Sequence, residues 1–479
     1  MRIWELPWLE MSVLVSLVGM LLSAFTHDVG RAYRLGLCCT SLTLVGAAMA
    51  WASHYFEEGS ASLTLVGEPL LVVDGLSGSV ATLTALLYFL TTLATGRTKM
   101  GRFSITWTLA GEAIQICVFG CTMPWILIAL LAAGTLPPLV VLRMRNKPTR
   151  VYVFHMALFV GLLVLGWALV SAVPRGETPS ALALAPLLAA VLLRCGTIPS
   201  HCWITDWFEH ASFGNALLFV APLTGVYATI RLVLPIAPDW ALQSIGILSL
   251  ITAVYAAGMA IVQEDARRFF AYLFLSHASL VLVGLELHTP IALTGALAMW
   301  TSVSLALGGL GLTLRALEAR FGRLTLTKFH GLYDHSPALA VCFMLTGLAS
   351  VGFPGTIGFV ATEMLVDGAV ESNLFLGVAV VIAAALNGIA VVRAYLLLFT
   401  GARHASSIAL GIGTRERVAV LTLASVILIG GFFPQPGVVS RYRAATDILE
   451  KRESLREPIT AREREDFLCL IRDHELPPR

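Results

Sequence analysis

Glu112 lies in the middle of an apolar stretch, FSITWTLAGEAIQICVFGC. Arg194 closes a second apolar stretch, and His201 follows it across Gly196 and Pro199 in LLRCGTIPSHCW. Asp206, Glu209 and His210 come next in WITDWFEHA, and His277 is embedded in LFLSHASLVLVG. Glu363 ends the run VGFPGTIGFVATE, after its Gly/Pro break, Asp367 follows it, and Arg393 sits in ALNGIAVVRAYLLLF. Ionisable groups are costly in apolar surroundings, so each marks a path or a partner. Carboxylates and imidazoles pass protons through side chains and trapped water when burial and nearby charge bring them within reach of neutral pH. Arginine keeps its proton, so Arg194 can act only as a fixed positive charge that biases a neighbour. Plainer readings stand beside these. Arg231 and Arg393 lie near the ends of their stretches, where long side chains reach the interface. His155 reads as interfacial, and a carbonyl bond accounts equally well for His277.

These residues are embedded in a chain that is 57% hydrophobic and only 13% charged; soluble domains carry about 25% charge. Apolar runs of about 20 residues recur, the length that crosses a hydrocarbon core of about 30 Å. The expectation is an all-α polytopic membrane protein with about 14 transmembrane helices. The alternating segments of ~10 residues that a transmembrane barrel needs do not occur. The N-terminal stretch mixes Arg2 with Glu5 and Glu10 and reads as a retained first span, not a signal peptide. A net charge of +2 argues against a nucleic-acid partner. No glycine-rich nucleotide motif, metal cluster or nucleophile–base pair stands out, so no catalytic residue, metal site or cofactor is expected. Any reaction credited to the chain would belong to a complex. Cys117 and Cys121 share a helix face, but nothing completes a metal site around them. With Cys38, Cys39, Cys195, Cys202 and Cys342 they read as small buried hydrophobes.

Two long apolar segments, 180–209 and 336–369, are interrupted by Gly and Pro. Gly196 and Pro199 break the first, and Pro354, Gly355 and Gly358 break the second. An odd number of spans between them inverts the second copy, the pattern of an inverted-repeat transporter. Irregular backbone at membrane depth survives only against protein or a water-filled cavity. Basic residues cluster in alternate connections, as at Arg143/Arg145/Lys147/Arg150 and Arg315/Arg320/Arg323/Lys328. The positive-inside rule puts those connections in the cytoplasm and both termini outside. Residues 437–479 read as a polar tail, either solvated or an arm that docks on a partner.

The chain resembles the antiporter-like membrane subunits of respiratory complex I, shared with Mrp antiporters, membrane hydrogenases and DAB-type inorganic-carbon uptake complexes. VVDGLS (72–77), RCGTIPSHCWITD (194–206), QEDARRFFAYLFLSH (263–277), HGLYDHSPALA (330–340), GFPGTIGF (352–359) and VVRAYLLLF (391–399) carry the resemblance. It implies 14 core helices, two inverted five-helix repeats and broken helices seven and twelve. It also implies an ion path through a Glu on helix five, a Lys on helix seven, a Lys or His on helix eight, a Lys on helix ten or eleven, and a Lys or Glu on helix twelve. At those places this sequence has Ala132, Arg194, no Lys or His in NALLFVAPLTGVY, a position near Ser302, and Thr362 with Glu363 beside it. His201 and Asp206 match the motif.

The ion-path candidates are therefore Glu112, Arg194, His201, Asp206, His277 and Glu363. The expected units are the N-terminal helices 1–102, a first repeat 103–236, a second repeat 237–401, a last span 402–436 and the tail 437–479. The resemblance implies an integral subunit of a bacterial inner-membrane complex, bathed in lipid, that moves protons or monovalent cations. Its partners would be other membrane subunits and a redox module or cytoplasmic inorganic-carbon-uptake protein. A non-conducting scaffold and a stand-alone ion transporter are the alternatives.

Overall fold

A computed structural model describes residues 6–56, 64–65, 68–96, 100, 103–174, 178–287, 289–402 and 412–456. The described chain is almost entirely helical: α1 (Trp8–Ala24), α2 (Val29–Phe56), α3 (Ser77–Leu93), α4 (Ile105–Gly120), α5 (Pro124–Ala133), α6 (Leu136–Met144), α7 (Arg150–Ser171), α8 (Ala181–Cys195), α9 (Cys202–His210), α10 (Phe213–Val220), α11 (Thr224–Ala228), α12 (Asp239–Val262), α13 (Ala266–Glu286), α14 (Pro290–Phe321), α15 (Pro337–Ser350), α16 (Ile357–Ser372), α17 (Leu374–Phe399), α18 (Thr414–Phe432) and α19 (Gln435–Arg456). A two-residue antiparallel pair, Thr64–Leu65 with Glu68–Pro69, sits before α3. By length and composition, eight helical segments among the described residues can each cross a membrane, and α18 bends by 81° into α19.

The helix starts follow local chemistry. Ser180, Ser212 and Thr289 accept backbone N–H bonds at the starts of α8, α10 and α14, and Asp265 does so for α13. Pro opens α5, α14 and α15, where its missing N–H costs nothing. Helices apolar on all sides must be wrapped by protein or by lipid. Helices α13, α14 and the α10–α11 segment are enclosed by protein, whereas α7 and α17 leave most of their surface outside.

The breaks at 196–201 and 351–356 stand where Gly and Pro suggested. Two further interruptions were not anticipated. The apolar run 124–142 divides at Gly134–Thr135 between α5 and α6. The apolar run 213–236 divides at Ala221–Leu223, with Leu223 in the left-handed region (φ 53°) and a π-helical turn at Thr229–Val233. Residues 437–456 of the expected tail also differ from expectation: they belong to α19, which packs on α14 of the same chain. Its Ala444 and Ala445 are buried, Arg441 donates to Ser79, and Arg452 pairs with Asp239. Residues 457–479 lie outside the described residues.

The VVDGLS motif fastens the start of α3. Asp74 Oδ1 accepts from Leu76 N at 3.1 Å and Ser77 N at 2.7 Å, while Oδ2 pairs with Arg231 from the π-helical turn. Burial alone would raise the Asp74 carboxyl, but the Arg231 guanidinium and the Ser77 bonds outweigh it and hold it below the usual range. A depressed carboxyl stabilises the fold above its ordinary value, about 3.8, and that contribution is lost as pH falls through the folded-state value. Asp74→Asn should therefore cost roughly 1–3 kcal/mol at pH 7. The midpoint gap to the wild type should narrow once the pH drops below about 3.8, as read by thermal unfolding in detergent. A constant gap at all pH values would refute this role.

Candidate functional site

Arg194 is the last-turn residue of α8 and is only 7% exposed. Gly196 stops the helix in the left-handed region (φ 76°), and a Cβ there would meet Ile204 at 2.3 Å. The freed groups of the break are met locally. Trp203 Nε1 donates to Leu193 O at 2.9 Å, Thr197 Oγ1 donates to Leu192 O at 3.0 Å, and Ile198 N donates to Thr252 Oγ1 at 3.1 Å. The Arg194 guanidinium donates to Thr224 Oγ1 at 2.8 Å and lies 4.3 Å over the Phe219 ring. No carboxylate forms an ion pair with it among the described residues. It borders a cavity of about 50 Å³ that also touches Tyr88, Gln115, Gly134, Trp207 and Asn215. A water needs roughly 10–15 Å³ on this measure, so a few fit.

Glu112 is fully buried on α4 and faces away from that cavity. Its Oε2 accepts from Ser16 Oγ at 3.2 Å, Ser16 in turn contacts Thr43 Oγ1 at 2.8 Å, and Oε1 has no partner among the described residues. The acid thus sits among α1, α2 and α4 and is not the counter-charge of Arg194. Tyr88, which borders the cavity, lies within electrostatic reach of Glu112.

The second break holds a separate polar centre. His277 on α13 is 1% exposed, with Nδ1 2.8 Å from Leu273 O and Nε2 2.8 Å from Ser350 O, the last residue of α15. A neutral imidazole has one donor, so it can satisfy one carbonyl at a time; a doubly protonated ring satisfies both. Ser302 Oγ and Thr362 Oγ1 are buried there without partners among the described residues. The bare backbone of the break lets them approach: a Cβ on Gly352 would lie 2.8 Å from Thr362 Oγ1, and one on Gly358 would lie 1.9 Å from Ala349 O. Pro354 and Gly355 complete the turn, with Gly355 at φ 84°.

The remaining candidates are not gathered with these. His201 lies between the rings of Tyr255 and Tyr272, at 5.5 and 6.2 Å between centroids, on a half-exposed face. Asp206 pairs with His210 one turn along α9 at 3.2 Å. Glu363 is on the exposed face of α16, as is Asp367. Of the six ion-path candidates, Arg194 with its cavity and His277 at the second break form two separate centres, and Glu112 stands apart from both. Gln115, Asn215 and Thr224 carried no signal in the sequence, being neutral polar residues within apolar helices.

Residues 154–387 match the family model described as "NADH:quinone oxidoreductase/Mrp antiporter, TM". That stretch, just under half of the chain, is similar to the antiporter-like membrane subunits. The chain is 26% identical to "NAD(P)H-quinone oxidoreductase chain 4 1" of Nostoc sp. over 84% of this chain and 82% of that protein. It is also 26% identical to "NADH-quinone oxidoreductase subunit 13" of Thermus thermophilus, over 77% of this chain and 82% of that one. The fold is that of a chain in respiratory complex I from Thermus thermophilus (TM-score 0.82, 22% identity, 94% of this chain, all of that one). It is equally that of a chain in the Mrp complex from Dietzia sp. (TM-score 0.81, 18% identity, 94% of this chain, all of that one).

His277 joins α13 to the cut end of α15, whereas His201 packs between two tyrosine rings on a half-exposed face. His277→Phe should thus cost about 1–3 kcal/mol by leaving the buried Ser350 carbonyl unpaired. His201→Phe, which keeps the ring contacts, should change stability by less than about 0.5 kcal/mol. Thermal midpoints of the two purified variants decide this, and the reverse order would overturn the assignment.

Proposed function

We propose that this chain is an ion-translocating subunit of a larger membrane complex, moving protons or monovalent cations. Glu112 carries the reading: a fully buried mid-helix carboxyl with one oxygen bonded to Ser16 and the other without a partner among the described residues is a group that can accept and release a proton. Membership of a complex is supported by Glu363, mid-helix in α16 and exposed, because a carboxylate facing lipid is costly and a partner subunit would cover it. The named relatives include quinone oxidoreductase chains, and the folds matched belong to respiratory complex I and an Mrp complex.

In the finer form of the proposal the chain crosses the membrane 14 times in two inverted five-helix repeats, 103–236 and 237–401. The interrupted pairs α8–α9 and α15–α16 are helices seven and twelve. The complex lies in a bacterial inner membrane with both termini of the chain outside, and couples ion flow to a redox or inorganic-carbon-uptake partner. Within it Glu112 and His277 are the proton-holding groups and Arg194 a fixed charge between them.

A second reading, a non-conducting scaffold, is supported by Ala132, Ser302 and Thr362 at relay positions and by an arginine that does not titrate. Reconstitution of the purified complex in liposomes separates the two. Translocation predicts a dissipated proton gradient that Glu112→Gln reduces at least tenfold while the complex still assembles. Undiminished flux in the variant would remove Glu112 from the path, and no flux in the wild type would favour the scaffold.

A further inference from the structure

We infer that the cavity beside Arg194 binds a small monovalent anion of the size of chloride or bicarbonate. Arg194 is the one charged residue on the wall of this cavity, and it has no carboxylate partner among the described residues. A cation taken out of water is expensive unless an opposite charge and hydrogen bonds compensate it. The protein supplies Thr224 Oγ1, a weak bond to Phe219 O at 3.5 Å and the Phe219 and Trp203 rings, all neutral.

The same wall carries orphaned polar groups. Gln115 is 6% exposed; its Nε2 donates to Leu218 O at 3.0 Å, and its Oε1 has no partner among the described residues. Asn215 Oδ1 and the Trp207 Nε1 donor are likewise buried and unpartnered among the described residues. The two ends of an amide exchange by a simple flip, so Asn215 can present N–H to the cavity. One guanidinium, one indole N–H and an amide N–H around a cavity of about 50 Å³ suit a halide or a compact oxyanion with a water or two. The wall offers a metal cation no carboxylate, and repels it with Arg194.

The site does not depend on whether the chain conducts. Its occupant would neutralise the fixed charge, so an anion filling the cavity would govern whether a cation could approach the first break.

The test uses the full-length protein in detergent, titrated separately with sodium chloride and sodium bicarbonate against sodium gluconate at constant ionic strength and pH. The expected result is a saturable rise in thermal midpoint with chloride or bicarbonate and none with gluconate, which is too large for the cavity; the active salt identifies the anion. Thr224→Asp places a carboxylate on the guanidinium and should weaken the apparent anion affinity at least tenfold. Arg194→Gln should do the same; if it does not fold, Thr224→Asp decides alone. No saturable response to either anion in the wild type, or a response of unchanged affinity in Thr224→Asp, overturns the proposal.

Discussion

The constraint on which this architecture depends is that backbone N–H and C=O groups inside a membrane need partners from the protein itself. Cutting a helix at mid-depth frees several such groups at once. Every cut here is closed by a side chain from a neighbouring element or from across the break. Trp203, Thr197 and Thr252 close the first, and His277 closes the second through Ser350 O. The break at Ala221–Leu223 is closed by Ser304, which donates to Ala221 O at 2.7 Å, and by Trp300 Nε1, which donates to Pro222 O at 3.2 Å. Helices α13 and α14 are central because they bring these closing groups. The polar residues in their apolar sequences therefore have structural employment before any functional one.

That view changes the meaning of a buried ionisable group. Arg194 sits at the cut end of a half-helix and His277, within the unbroken α13, faces another, but their electrostatics differ in kind. Arg194 carries a permanent charge held by a hydroxyl, a carbonyl and aromatic faces. His277 faces two carbonyl oxygens, an environment that accepts one proton on the ring and offers a place for a second. Glu112 lies on another wall of α4 and is bonded to Ser16 of α1. An ion moving between these groups would need water to bridge them, since no direct side-chain chain joins them among the described residues. The cavity at Arg194 offers space for such water at one of the three.

The apolar helices up to α18 were legible in the sequence because they lie in long apolar runs bounded by Gly, Pro or charge. The two main breaks were legible because Gly196, Pro199, Pro354 and Gly355 cannot sit quietly in a helix interior. The breaks at Gly134 and Leu223 were not, since the apolar run continues through them and a single Gly or Pro is tolerated in a membrane helix. Side-chain direction was the larger loss. In helices apolar on every side, periodicity gives no face, so the sequence could not tell that Arg194 points inward and His201 outward. The intervening turn reverses the exposed side within a few residues. Glu363 was misplaced for the same reason: its neighbour Thr362 takes the inward position, and the next residue on a helix points about 100° away.

The C-terminal helix shows the opposite failure. Polar composition suggested solvent or a foreign partner for residues beyond 437, yet Arg441 and Arg452 are buried against α3 and the start of α12. Long cationic side chains cover apolar surface with their stems and place their heads on acceptors, and Ala444 and Ala445 are buried, Ala444 beside Gly75 just before α3. What looks like a tail is thus a brace that ties α3, α12 and α14 together. Those elements carry the neighbours of both polar centres: α3 bears Tyr88, α12 bears Thr252, and α14 bears Ser302 and Ser304. Rigid placement of the closing side chains lets the half-helices remain cut, and the brace extends that rigidity to the edge of the fold.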